Sequence, residues 1–387
     1  ITVVSTAYAS GKSSAGGSDG GVTLEKVPNV GDVVEAPSTT EGAGNAITLE
    51  AEQATLSGEV KLESYNGKDG AALLERNGGL TWRFTLSQEG TYRLLLTYCP
   101  VEDQGMDMEI DLTLDEQAIG ETGRFSIHRI WQDDPTGLGG PDGRFQRDRQ
   151  GNEIVPHRVE SFVWSETVIR ENGDGSDGGL LLTLPQGEHT LKLTQISQKM
   201  AVKFLALVPP EAPPSYDEVF AGWKEAGAQN VSEGASQTFE AELTSARSNA
   251  AIYPGYDRST PSTSPNDPAQ IRLNTIGGQR WSQTGDWISW KITVPETGLY
   301  VLSFKYRQDL VRGLSVYRRI TLDGEVPFAE FEAVAFPYGV KWSRLTPADE
   351  TGEPYRIYLE ADRTYELRME AVLGPIRETV IRMEDAI

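Results

Sequence analysis

From Ile47 onward, apolar residues recur at every second position in short runs bounded by Gly, Pro, Asn and Asp, the pattern of half-buried strands rather than helices. Leu80, Trp82, Phe84 and Leu86 fall on one face, with Arg83 and Thr85 on the other. After Ser87-Gln88-Glu89-Gly90 the alternation resumes at Tyr92, Leu94, Leu96 and Tyr98, which predicts a β-hairpin. The run then returns. Trp290, Gly298 and Tyr300 repeat Trp82, Gly90 and Tyr92 at a constant spacing of 208, and Ile320-Thr321-Leu322-Asp323 repeats Leu112-Thr113-Leu114-Asp115 at the same spacing. Glu50-Ala51-Glu52 recurs as Glu240-Ala241-Glu242, and "LLLTLPQGEHTLKL" as "YRIYLEADRTYELRM", a second predicted hairpin in each copy. Many short strands, dense turns and little helical periodicity predict an all-β chain of two antiparallel β-sandwich domains of jelly-roll type, joined by a short helix.

That helix lies in "PPSYDEVFAGWKEAG". Ser215 and Glu218 form a capping box, Tyr216, Val219, Phe220 and Trp223 share one face, and Gly227 ends it. An apolar face on a linker must dock, so the two domains are expected to hold a fixed relation. The expected organisation is 1–9 as a signal-peptide remnant ending in Ala7-Tyr8-Ala9, 10–46 as a flexible Gly/Ser-rich tether, and 47–210 as the first sandwich. The helical linker follows at 211–235 and the second sandwich at 236–374. The stripe Ile376, Val380, Met383 and Ile387 makes 375–387 the start of a helix leading to a further domain. The copies differ at about 129–165 in the first and at the loop before the second Trp strand, where added function is expected.

Charge narrows the partners. Thirty-five basic against 57 acidic residues give a net charge of −22, which opposes nucleic acid. The lone Cys99 excludes a disulfide framework and a cysteine metal site, and reads as a packed residue rather than a reactive thiol. His128, His157 and His189 belong to no catalytic motif, so no active site is expected. "ENGDGSDGG" at 171–179 alternates oxygen ligands as a calcium loop does but lacks the glycine and distal acid of that motif, and reads as a solvated loop.

Sugar binding needs flat aromatic faces beside a few charged or amide groups. The second-copy loop supplies Tyr253, Tyr256, Asp257, Arg258, Asn274 and Trp281, and Trp287 lies on the strand face opposite core Trp290. These seven are the candidate ligand-binding residues. The competing reading is that Tyr253, Tyr256 and Trp281 pin the loop while Asp257 and Arg258 form an ion pair. Trp131 and Trp164, bracketing the first-copy insertion, pose the same choice.

The EAE strand, "GDWISWKITVPETGLYVLSFKY" and "LPQGEHTLKLTQ" resemble carbohydrate-binding modules of families six and thirty-five, which are galactose-binding-like sandwiches. "YDRSTPSTSP", "IRLNTIGG" and "ITLDGEVPF" with the linker helix are similar to the front part of large extracellular solute-binding proteins of Gram-positive sugar ABC transporters. The resemblance implies a non-catalytic, extracellular pair of modules. It also implies an oligo- or polysaccharide ligand, a C-terminal solute-binding domain and a membrane sugar permease as partners. The alternatives are a scaffold that binds no sugar and an accessory module of a polysaccharide-degrading enzyme. In the modules, EAE and an Asp in the last strand help to hold a structural calcium. Here Lys203 stands in place of that Asp and is expected to pair with Glu52, and the second copy has a helix start where the last strand would be. No cofactor is therefore expected.

Overall fold

Alternating side chains make each strand one-sided, and the buried sides of two sheets meet in each half of the chain. The computed structural model describes residues 2–6, 46–140, 143–170, 179–232 and 234–376. The tether up to 45, the candidate calcium loop at 171–178 and the C-terminal stripe beyond Ile376 lie outside the described residues.

In the first sandwich one sheet runs in the order Arg124–Ile127, Met108–Leu114, Gly187–Ser197, Gly79–Leu86, Thr55–Ser57. The facing sheet runs Ser165–Val168, Gly90–Pro100, Met200–Val208, Lys68–Leu74, Val60–Tyr65, with Leu181–Leu184 also on Gly90–Pro100 and Ile47–Glu50 also on Met200–Val208. Every pairing is antiparallel. The second sandwich repeats this plan with Trp287–Thr293, Thr364–Val372 and Val316–Leu322 in one sheet and Gly298–Gln308, Arg356–Leu359 and Gly339–Leu345 in the other. The chain is an all-β pair of jelly-roll sandwiches.

The predicted hairpins are corrected. Gly79–Leu86 and Gly90–Pro100 lie in opposite sheets and share no ladder, as do Leu181–Leu184 and Gly187–Ser197. Their turns are arches over the end of the sandwich, so Leu80 and Trp82 face Leu94 and Leu96 across the core instead of lying beside them. Period two identifies a strand and its buried face but not its partner. Trp82 and Trp290 are buried in the two cores, and their indole N–H groups donate to the Glu50 carbonyl at 2.7 Å and the Ala241 carbonyl at 2.8 Å. The repeated tryptophan thus clamps the EAE segment in both copies.

The helix Tyr216–Glu225 carries the expected capping box. Its apolar face packs on the second sandwich alone, with Tyr216 against Phe328 and Tyr355 at ring distances of 5.0 and 4.8 Å. The first-copy insertion joins the halves, beside an ion pair between Arg170 and Glu370 at 2.8 Å. Its strands Trp131–Asp133 and Arg158–Glu160 extend the second sandwich's sheet through Trp131 and Arg247. Arg247 and Asp133 form a fully buried ion pair there. Glu153 accepts the backbone N–H of Leu273 at 2.6 Å, Asn152 accepts that of Ile271 at 2.9 Å, and Arg272 donates to the Gly151 carbonyl at 2.7 Å. Trp164, at the insertion's other end, donates to the Tyr65 carbonyl at 3.1 Å under the Lys68 ammonium.

One strand comes from elsewhere. In the first sandwich Met200–Val208 sits between Gly90–Pro100 and the EAE-bearing Ile47–Glu50. In the second, the same slot between Gly298–Gln308 and Gln237–Phe239 is filled by Thr2–Thr6. The chain after Val372 turns into a 3₁₀ segment, Gly374–Ile376, and supplies no such strand among the described residues. The segment expected as a signal-peptide remnant thus pairs through its backbone with the second sandwich. A Val4→Pro substitution removes a ladder donor from a central strand, which sheets do not tolerate. It should speed amide exchange across 298–308 and lower the second sandwich's stability by about 1–3 kcal/mol. Unchanged protection of 298–308 would mean that the slot is closed by something else.

Candidate functional site

The EAE carboxylates come first, because a buried carboxylate must be compensated. In the first sandwich Lys203 reaches Glu50 at 3.0 Å, not the expected Glu52. Phe204, next to Lys203, is in register with Glu50, whereas Glu52 lies in an exposed 3₁₀ turn leaning over Gly70. In the second sandwich the cation comes from the neighbouring domain. Arg144 of the insertion contacts Glu242 at 2.5 Å, donates to the Leu273 carbonyl at 2.6 Å and lies 3.6 Å from Glu153. A side-chain cation thus stands at the EAE segment of each copy.

The cavity lies elsewhere, at the end of the second sandwich where Gly298–Gln308 finishes, Val316–Leu322 begins and the 253–284 loop folds over. Its volume is about 510 Å³. Of the seven candidate residues, Tyr253, Tyr256, Asp257 and Trp281 line it. Arg258, Asn274 and Trp287 are not among its lining residues. Asn274 is buried and builds the loop, accepting the Asp257 N–H at 2.8 Å and donating to the Asp257 and Pro265 carbonyls. Arg258 donates to the Pro268 carbonyl at 2.5 Å. Trp287 is half-buried beneath the Arg368 guanidinium, 4.0 Å away.

The aromatic residues are not equivalent. Trp281 is only 2% exposed, donates to the Asp286 carbonyl at 2.9 Å and has Arg318 over its ring at 4.2 Å, so it forms the cavity floor. Tyr253 contacts the guanidinium groups of Arg158 and Arg280 at 4.9 and 4.0 Å. Tyr256 is 56% exposed, with no ring or cation against it among the described contacts. Trp342 and Tyr317, neither of which lies in the 253–284 loop, add to the aromatic lining, with Tyr306 and Phe336.

Asp257 pairs with Arg307 at 2.5 Å rather than with its neighbour Arg258, accepts the Trp342 indole N–H at 2.7 Å and accepts the Ser259 N–H at 2.7 Å. Burial pushes its carboxyl up, and these donors outweigh that effect, holding it down at about 2. With both oxygens engaged, Asp257 positions Trp342 and Arg307 and is a poor proton acceptor. Arg307 also contacts Asp309 at 3.1 Å. Comparing the copies would have exposed two of the missed residues. At the spacing of 208, Arg307 falls on Cys99, which is buried with its thiol pushed up to about 11 by that burial, and Arg318 falls on the fully buried Ile110. Trp342 has no such signal, since its strand follows a loop with no counterpart motif.

No family model and no curated protein matches the chain. Among solved structures, the C-terminal CBM6 of LamC, a marine laminarinase from Zobellia galactanivorans, is 14% identical, covers 42% of this chain and 99% of its own, and has a TM-score of 0.26. A family 35 carbohydrate-binding module from Clostridium thermocellum is 15% identical, covers 43% and 99%, and has a TM-score of 0.24. A GH26-CBM35 β-(1,4)-mannanase from Podospora anserina is 14% identical over 43% of this chain and 28% of its own, at 0.24. At these scores the alignments carry no argument about function.

Burial pushes the Glu242 carboxyl up from 4.5 to about 7, against the pull of Arg144. A carboxyl that holds its proton more tightly when folded loses stability as pH rises: the unfolded chain ionises first, near 4.5, and the loss is complete above about 7. Asp257 acts in the opposite sense and in a separate window, between 3.8 and about 2. Denaturant unfolding from pH 4.5 to 7.5 should therefore show Glu242→Gln gaining on the wild type by on the order of 2–3 kcal/mol. A constant difference would mean that Glu242 stays ionised throughout.

Proposed function

We propose that the second sandwich binds a saccharide, without catalysis, in the cavity bounded by the 253–284 loop and Trp342. The observation that carries this reading is the open, exposed face of Tyr256 at a cavity whose other walls combine Trp342 and Tyr317 with polar groups on Arg280 and Asp309. An aromatic face takes the apolar C–H side of a pyranose, and guanidinium and carboxylate groups take its hydroxyls. Asp257, through its hydrogen bond to the Trp342 indole, fixes that ring before a ligand arrives, which reduces the ordering cost of binding.

In the wider protein the pair of sandwiches serves as an extracellular, non-enzymatic module that captures oligo- or polysaccharide for sugar uptake. This reading is supported by the placement of the second-copy motifs: "YDRSTPSTSP" and "IRLNTIGG" contribute Tyr256, Asp257, Thr275 and Ile276 to the cavity wall. No described helix is long and apolar enough to cross a membrane. A scaffold role is favoured for the first copy by a specific observation: its insertion is committed to hydrogen bonds with the 271–273 segment.

Calorimetric titration of the full chain against a panel of plant and microbial oligosaccharides tests the reading. Tyr256→Ala and Trp342→Ala should each weaken a bound member about five- to tenfold, the value of about 1–1.5 kcal/mol for an aromatic contact. Trp281→Ala should instead lower stability by about 3–5 kcal/mol, as for other buried aromatics. Silence across the panel, or binding indifferent to both Tyr256 and Trp342, overturns the proposal.

A further inference from the structure

The inward positions of Met108–Leu114 in the first sandwich are apolar, and Ile110 among them is fully buried. The second sandwich keeps the strand and register but places Arg318 at that position, with Ile320 continuing the core behind it. A half-buried guanidinium at a position that is core in the first copy needs a reason, because a desolvated charge without a counter-ion is costly.

Among the described residues no carboxylate forms an ion pair with Arg318. Two of its N–H groups donate to the carbonyls of Tyr317 at 2.8 Å and Trp281 at 3.1 Å. Its face lies on the Trp281 ring, and its buried Nε has no hydrogen-bond partner. Both carboxylates lining the cavity, Asp257 and Asp309, are held by Arg307. The carboxylate whose charge acts on Arg318 is Asp286, which is buried and accepts the Ser248 hydroxyl at 3.0 Å. Burial accordingly lowers the Arg318 pKa to about 10. Arg280, on the same cavity, rests its guanidinium on Tyr253 and forms no ion pair among the described residues. The cavity therefore holds three guanidinium groups and two carboxylates, in a chain whose net charge is −22.

We infer that the saccharide taken by this cavity is acidic, and that its anionic group, a uronate carboxylate or a sulfate ester, docks on Arg318 with Arg280 at the rim. The inference rests on the saccharide reading above and adds the ligand's charge to it. A guanidinium matches such planar or multi-oxygen anions with paired N–H groups, and it gains most where water is excluded.

The test is calorimetric titration of the full chain with three ligands matched in length: an oligouronide, the same oligouronide after carboxyl reduction, and a sulfated oligosaccharide. The wild type should bind the oligouronide or the sulfated ligand at least about tenfold more tightly than the reduced one, a ratio within reach of one charged hydrogen-bonded contact. Arg318→Gln should erase that ratio while leaving the weak neutral binding. Arg318→Ile, which restores the first-copy residue, should melt no lower than the wild type, so that a loss of acid preference cannot be ascribed to unfolding. Equal affinity for acidic and reduced ligands would overturn the inference and leave the saccharide reading intact. Binding of neither would overturn both.

Discussion

The arrangement depends on one constraint, the need to compensate the EAE carboxylate, half-buried as Glu50 in the first copy and fully buried as Glu242 in the second. Glu50 in the first copy is answered from within, by Lys203 on the strand that closes the sheet. Among the described residues the second copy supplies no such strand of its own, and Glu242 is answered from outside, by Arg144 of the first domain's insertion. Removing one partner of a buried pair leaves an uncompensated charge, so the second sandwich is bound to the first by a requirement and not only by contact. The same insertion forms backbone hydrogen bonds to 271–273, and the chain from there to Trp281 forms the cavity floor. The seam thus organises the loop that builds the site.

Duplication explains how a cavity could open without a new fold. The spacing of 208 keeps Trp82 and Trp290, and with them the clamp on the EAE segment, in the same structural role. At the sandwich's end the copies diverge at the same register: Cys99 and Ile110 are buried core residues, whereas Arg307 and Arg318 border a cavity of about 510 Å³. The jelly roll tolerates this because the middle of each core is closed independently of its end, by Leu80, Trp82 and Leu94 in one copy and by Ile288, Trp290 and Leu302 in the other. Divergence is confined to where the arches and loops meet.

Much of the fold was legible because alternation is a local signal. It gave the strands, their buried faces and the duplication, and the capping box gave the helix. What alternation cannot report is pairing, which is decided by residues far apart in the chain. Hence the arch at Ser87 to Gly90 reads as a hairpin, and nothing in 1–9 announces a strand between 237–239 and 298–308. The site divides the same way. Tyr253, Tyr256, Asp257 and Trp281 stand within one loop, where composition alone draws attention to them; Trp342 reaches the cavity through an indole contact with Asp257 that no spacing encodes. Asn274, expected as a ligand-binding residue, serves the loop's backbone, because an amide that satisfies one N–H and two carbonyls has little left for a ligand.

Electrostatics act at two ranges in this molecule, with opposite signs. A net charge of −22 repels an anion at a distance, but at physiological salt that field decays over about 8 Å. The guanidinium groups of Arg280 and Arg318 act at contact, where water is displaced and screening is weak. An acidic saccharide is consequently not steered into the cavity by the field of the whole protein. It is held only once it arrives, by Arg318, whose desolvation has already been met by Trp281 during folding, and by the exposed Arg280 at the rim. Such a site selects by retention rather than by capture rate, and salt acts on its two stages in opposite directions: it eases the approach by screening the repulsion and loosens the contact only at the exposed Arg280.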